Sequence, residues 1–153
     1  MYHYTDGGLR NIWLSNGYEV KRTPYGEAVS IQDLDGLVKA ICSALIRKKT
    51  KLTGAEFRYI RQAMLMSQSS LGKALGRTDQ AVALWEKKSN IPKAADLVLR
   101  VLYATHADGN ELVKNLVHAM NSTERTIHIV LQETPHGWEH TETDQEPVAL
   151  ELA

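Results

Sequence analysis

Through the middle of the chain, apolar residues recur every three or four positions, while near both ends they alternate with polar ones. Leu34, Leu37, Val38, Ile41, Cys42, Leu45 and Ile46 hold one helical stripe, which predicts an amphipathic helix. Ser30 and Asp33 read as its capping pair. Phe57, Ile60, Ala63 and Met64 predict a second helix, opened by the capping box Thr53-Gly-Ala-Glu56. Short helical patterns follow from Ser67 to Leu75 and from Thr78 to Lys87. Pro92 suits the first turn of the next helix, which continues through Ala95, Val98, Leu99 and Leu102. A last helix is predicted after Asp108, with Leu112, Leu116, Val117 and Met120 on one side.

The ends read differently. Ile12–Leu14 and Tyr18–Val20 flank Ser15-Asn16-Gly17, and Asn-Gly favours a tight hairpin turn. Pro24-Tyr25-Gly26 marks another turn before a third strand, Ala28–Ile31. Ile127, Ile129 and Leu131 alternate along one C-terminal strand. Its only other strand partners would be N-terminal, so the two ends are expected to meet, within one chain or between two. From Thr141 the chain is acidic and weakly patterned, and is expected to fray. The predicted parts are an accessory region 1–50 for dimerisation or packing, a helical domain 51–121, and a strand with a tail at 122–153.

Leu71, Leu75, Val82 and Trp85 fall where two crossed helices joined at Gly76-Arg77 would touch, and Gly72 allows a close crossing. This is the pattern of a helix-turn-helix. With Val82 and Trp85 facing inward, Asp79, Gln80, Ala83, Leu84 and Lys87 face outward or sideways. In that architecture this surface enters the major groove of DNA.

Net charge is zero, but its distribution is not even. Residues 46–105 carry twelve Lys and Arg against four Asp and Glu, and residues 106–153 carry two against nine. A basic middle beside an acidic tail predicts a local phosphate-binding face. No run of about 18 apolar residues is present to span a membrane. The N-terminus has no signal-type apolar stretch, and the lone Cys42 leaves no intramolecular disulfide, so a cytoplasmic protein is expected. None of the six His lies in a catalytic pattern. His136-x-x-x-His140 has metal-compatible spacing without a second ligand pair. Neither an enzyme, nor a metal site, nor a cofactor is expected.

Gln68, Gly76, Trp85-Glu86 and Pro92 resemble the Cro/cI-type (XRE, lambda-repressor-like) helix-turn-helix family over about Thr53–Met120. The flanking stretches YHYTDGGLRNIWLSNGY, TPYGEAVSI, DLDGL and LTGAEFRYIR resemble the MqsA (YgiT-type) antitoxin and regulator group. The N-terminal cysteine pairs that hold zinc in that group are missing here, so zinc is not carried over. The resemblance implies a mainly α fold with a small α+β part. A five-helix lambda-repressor-like domain would be flanked by an N-terminal hairpin plus helix and by a C-terminal strand.

It also implies roles. Gln80 would read a base, since its amide can pair with adenine N6 and N7. Asp79 would accept from a cytosine or simply stabilise the first turn of its helix. Leu84 would meet a thymine methyl or exclude water, and Gln68 would touch a phosphate or the base edge beside it. Lys51, Lys73, Arg77, Lys87 and Lys88 would bind phosphates. Arg61 and Glu86 would form a structural ion pair. Lys88 stands where relatives have glycine, so the following loop is expected either to strain Lys88 or to give the left-handed position to a neighbour such as Asn90.

The functional expectation is a dimeric repressor on a near-palindromic double-stranded operator, with autoregulation. The alternative is an antitoxin acting mainly by binding a toxin protein through the chain ends.

Overall fold

The computed structural model describes residues 1–109, Asn115, Ala119 and 126–149. Among these it shows a mixed α+β architecture of five helices and three antiparallel strand pairs. The chain forms two compact units, residues 1–121 and 122–153. The predicted helix bearing Leu112, Leu116, Val117 and Met120 lies outside the described residues.

The first unit opens with two strand pairs. Strand β1 (Tyr2–His3) pairs with β2 (Trp13–Leu14), and β3 (Tyr18–Thr23) pairs with β4 (Gly26–Ile31). The hairpin expected at Asn16-Gly17 does not form. Gly17 takes positive φ, but it carries the chain from one strand pair to the next. The N-terminal residues outcompete β3 for β2 because aromatic rings hold them there. His3 stacks on Trp13 with centroids 4.0 Å apart, and Tyr2 meets Tyr18 at 5.2 Å.

Helix α1 (Leu34–Ile46) buries Ile41, Cys42 and Leu45. Its cap is Asp33, whose carboxylate accepts from the Gly36 amide at 3.1 Å, while Ser30 belongs to β4. The Ser30–Asp33 capping pair is therefore corrected: β4 runs one residue past Ser30 and leaves Asp33 the cap position.

Four more helices follow: α2 (Gly54–Ala63), α3 (Gln68–Leu75), α4 (Asp79–Lys88) and α5 (Lys93–Asp108). Their starts are local chemistry. Thr53 and Glu56 form the reciprocal capping box, and Ser67 and Thr78 accept from the amides of Ser70 and Ala81. Gly76 ends α3 at φ 66°, the left-handed conformation that glycine adopts without a Cβ clash. Phe57, Ile60, Leu71, Val82, Ile91 and Leu99 form the centre of the core beneath them. Phe57 meets the ring of Trp85 edge-on at 6.2 Å.

Residues 47–51, between α1 and α2, are pinned. The Arg100 guanidinium donates to the carbonyls of Lys48 at 2.6 Å and Thr50 at 2.7 Å. Asp96 accepts from the Leu52 amide at 2.8 Å and pairs with Arg100. Buried Glu56 takes Lys48 Nζ at 2.7 Å, the Thr53 amide at 2.8 Å and Asn11 Nδ2 at 3.2 Å. A carboxylate held in this way ties the N-terminal segment to α2. This is why residues 1–50 do not separate as a unit of their own.

In the second unit, β5 (His128–Thr134) pairs with β6 (Gly137–Thr143). The expectation that the C-terminal strand pairs with the N-terminal ones is corrected. Its partner is β6, reached through the two-residue turn Pro135-His136. Thr141–Thr143 belongs to β6 and is not a frayed tail. The missed signal was Thr-Pro-His-Gly, the same turn as Thr23-Pro-Tyr-Gly26. In both, the threonine hydroxyl donates to the glycine carbonyl, at 2.7 and 2.8 Å, and the glycine has φ near 112–115°.

Candidate nucleic-acid interface

Helix α3 is crossed by the start of α4 at Gly72, where a Cβ would lie 2.7 Å from the Arg77 carbonyl oxygen. Any larger residue would force α3 away from the turn. On α4, Val82 is fully buried and Trp85 nearly so. A helix advances about 100° per residue, so positions 80, 84 and 87 form one stripe on the opposite side. Gln80, Leu84 and Lys87 are exposed along it.

The orientation of α4 is set at two points near its C-terminal end, in addition to the crossing at Gly72. Arg61 Nε lies 2.7 Å from Glu86 Oε2 and its Nη2 lies 2.9 Å from Glu86 Oε1, a two-pronged pair. The side chains are 8% and 5% exposed. The third Arg61 nitrogen donates to the Met66 carbonyl at 2.9 Å, which closes the α2–α3 joint onto α4. Gln68 joins this network, donating to Glu86 Oε1 at 3.2 Å. Half-buried, it has one amide N–H committed to the ion pair.

The second fixed point escaped the sequence reading. At Gly54, the first residue of α2, a Cβ would sit 2.1 Å from the Glu86 carbonyl oxygen. The Gly54 amide donates to Ser89 Oγ at 2.8 Å. Ser89, not Lys88 or Asn90, takes the left-handed position after α4, at φ 54°. Helix α4 therefore runs through Lys88, and the chain reverses one residue later than the family pattern implies. This junction gathers Lys51, Lys87 and Lys88, all exposed, around the start of α2 and the end of α4. Lys73 and Arg77 are exposed on α3 and its turn. Asp79 is exposed, and its Oδ1 accepts from the Gln80 amide at 2.9 Å, the first-turn role a carboxylate plays at a helix start.

The charge pattern sharpens once the pairs are placed. Of the four acids between residues 46 and 105, Glu56, Glu86 and Asp96 are bound to Lys48, Arg61 and Arg100. The other nine cations of that stretch are exposed, and only Asp79 is an exposed acid among them. Pairing these acids leaves the exposed charges of residues 46–105 nearly of one sign.

Among the described residues, no group of three or more His, Cys, Asp and Glu is placed to hold a metal ion. Burial pushes the Cys42 thiol up, with a hydrogen bond from Tyr103 opposing it, and the residue is wholly enclosed. His136 sits in the β5–β6 turn and His140 on β6, both exposed. No helix among the described residues is long and apolar enough to cross a membrane. Comparison with protein-family models, curated proteins and solved structures gives no match.

Proposed function

We propose that this protein is a sequence-specific DNA-binding transcriptional regulator, a dimeric repressor whose helices α2–α5 belong to a lambda-repressor-like helix-turn-helix domain. The observation that carries this reading is the exposed Gln80–Leu84–Lys87 stripe on a helix packed against Gly72 at its start and braced by Arg61 and Gly54 near its end, in a stretch, residues 46–105, whose exposed charge is positive but for Asp79. A braced helix can present side chains in fixed register to base edges, and cations around it neutralise phosphates without reading sequence.

In this reading Gln80 pairs with an adenine and Leu84 packs against a thymine methyl. Gln68, held by Glu86, directs its free N–H to a phosphate. Lys51, Lys73, Arg77, Lys87 and Lys88 neutralise the backbone, and Asp79 stabilises the helix start. Two subunits would place their α4 helices about 34 Å apart on a near-palindromic site, in a chain that represses its own synthesis.

Fluorescence anisotropy with a duplex from upstream of this gene tests the proposal. Wild type should prefer that duplex to a scrambled one and weaken steeply with salt, by roughly 0.9 logarithmic unit in affinity per phosphate contact for each tenfold rise in salt. Gln80→Ala should erase the preference and leave the salt dependence. Equal or absent binding to both duplexes at low salt would refute it.

A further inference from the structure

The second unit presents apolar residues to solvent. Ile129, Leu131 and Trp138 are 65%, 62% and 69% exposed, and Val130 is 40% exposed. The β5–β6 register places Ile129, Leu131 and Trp138 on one face of the hairpin and Val130 on the other. A two-stranded hairpin is marginal by itself, and three or more strands with an apolar face are needed for independent stability.

The two edges of this hairpin are not alike. Strand β6 carries Glu139 and Glu142, charges of the kind that block addition of a further strand. Strand β5 has no charge between His128 and Glu133, no proline and no bulge. The β3–β4 hairpin, built on the same turn, shows what a protected edge looks like: Glu19, Lys21 and Arg22 occupy half of β3. Strand β4 is also free of charge from Ala28 to Ile31, but its Val29 and Ile31 are half-buried; of these strands, β5 alone joins a charge-free run to large exposed apolar side chains.

We infer that β5 is the self-association element: it pairs antiparallel with β5 of a second copy about a two-fold axis at Val130. The inference rests on the dimeric reading above. The occupant follows from self-complementarity. In that register Val130 faces Val130, Ile129 faces Leu131, and His128 faces Gln132, so no like charges are opposed. The result is one four-stranded sheet, ordered β6-β5-β5-β6, whose outer strands carry the glutamates. Assembly stops at two because both new edges are the guarded ones. A head-to-tail β5-on-β6 pairing would leave a β5 edge open and propagate.

The test uses the full chain. Sedimentation velocity at micromolar concentration should give a dimer for wild type and a monomer for Val130→Arg, which sets two cations against each other on the axis. Val130→Cys should form an interchain disulfide under mild oxidation, since cross-strand partners lie about 4.5–5.5 Å apart between Cα atoms, within disulfide reach. Thr141→Cys, on the outer strand, should not, and the enclosed Cys42 gives no background. A monomeric wild type, a dimer that survives Val130→Arg, or cross-linking at Thr141 but not at Val130 overturns the inference. These readouts need no DNA. A Val130-centred dimer that ignores the upstream duplex would sink the regulator reading and leave the interface standing. DNA binding by a chain that fails the cross-linking test would do the reverse.

Discussion

Ser89 Oγ accepts a hydrogen bond of 2.8 Å from the Gly54 amide while its own backbone sits in the left-handed region at φ 54°. One residue therefore ends α4 and caps the start of α2. The two demands conflict, because the conformation suits glycine and the hydrogen bond needs a hydroxyl. Ser89→Ala keeps the strain and loses the acceptor, so it should lower stability by about 1–2 kcal/mol. Ser89→Gly loses the same acceptor but gains about 1 kcal/mol of backbone relief, and should come out near neutral. Urea unfolding of the two variants should separate them; equal losses would mean the backbone conformation carries no cost.

The Arg61–Glu86 pair fixes α4 against α2 from a nearly dry site. Removing one partner of such a pair leaves a buried charge, at about 3–5 kcal/mol. Arg61→Met and Glu86→Gln should both fall near that range, and the double variant should be less destabilised than the two single losses added together. Glu86→Gln also frees Gln68, so its loss of DNA affinity should exceed that of a phosphate-contact change such as Lys73→Ala. Strictly additive stability losses would show that the pair is not coupled.

Leu65, between α2 and α3, has φ 57° and is 93% exposed. A branched side chain gains nothing there and strains the backbone. Leu65→Gly should therefore raise stability by about 1 kcal/mol, less whatever entropy glycine adds to the unfolded chain. A drop in thermal midpoint would show that the exposed leucine makes a contact in solution.

Burial alone would push the Glu56 carboxyl up, but the hydrogen bonds from Lys48, Thr53 and Asn11 and the Lys48 charge outweigh it and hold it below its ordinary value. A depressed carboxyl contributes stability that is fully present above its unfolded value, about 4.3, and is lost as pH falls through the folded value. Wild type should thus lose stability below about pH 4.5 more steeply than Glu56→Gln. Parallel acid limbs for the two proteins would remove Glu56 from the account.

The helices were legible because each start is written locally: Thr53, Ser67 and Thr78 cap the elements that follow them. The outward stripe of α4 was legible for a related reason, since Val82 and Trp85 leave the opposite side to Gln80 and Leu84. Three things were not legible. The partner of β2 depended on rings 10 to 16 residues away in the chain, and a turn signal at Asn16-Gly17 says nothing about competition from another strand. The clamp of residues 47–51 by Arg100 spans about fifty residues, where sequence shows only two basic regions. The closeness of Gly54 to the end of α4 had no periodic signature, although an unforced glycine at a first helical position was a clue.

The concealment of Glu56, Glu86 and Asp96 in ion pairs has a practical reading. By its overall charge of zero, this protein should pass a cation-exchange or heparin column near neutral pH without retention. Such matrices respond to the patch they touch and not to the sum over the molecule. The protein should stay bound and elute only as salt is raised, behaving on the column as a basic protein while focusing as a neutral one.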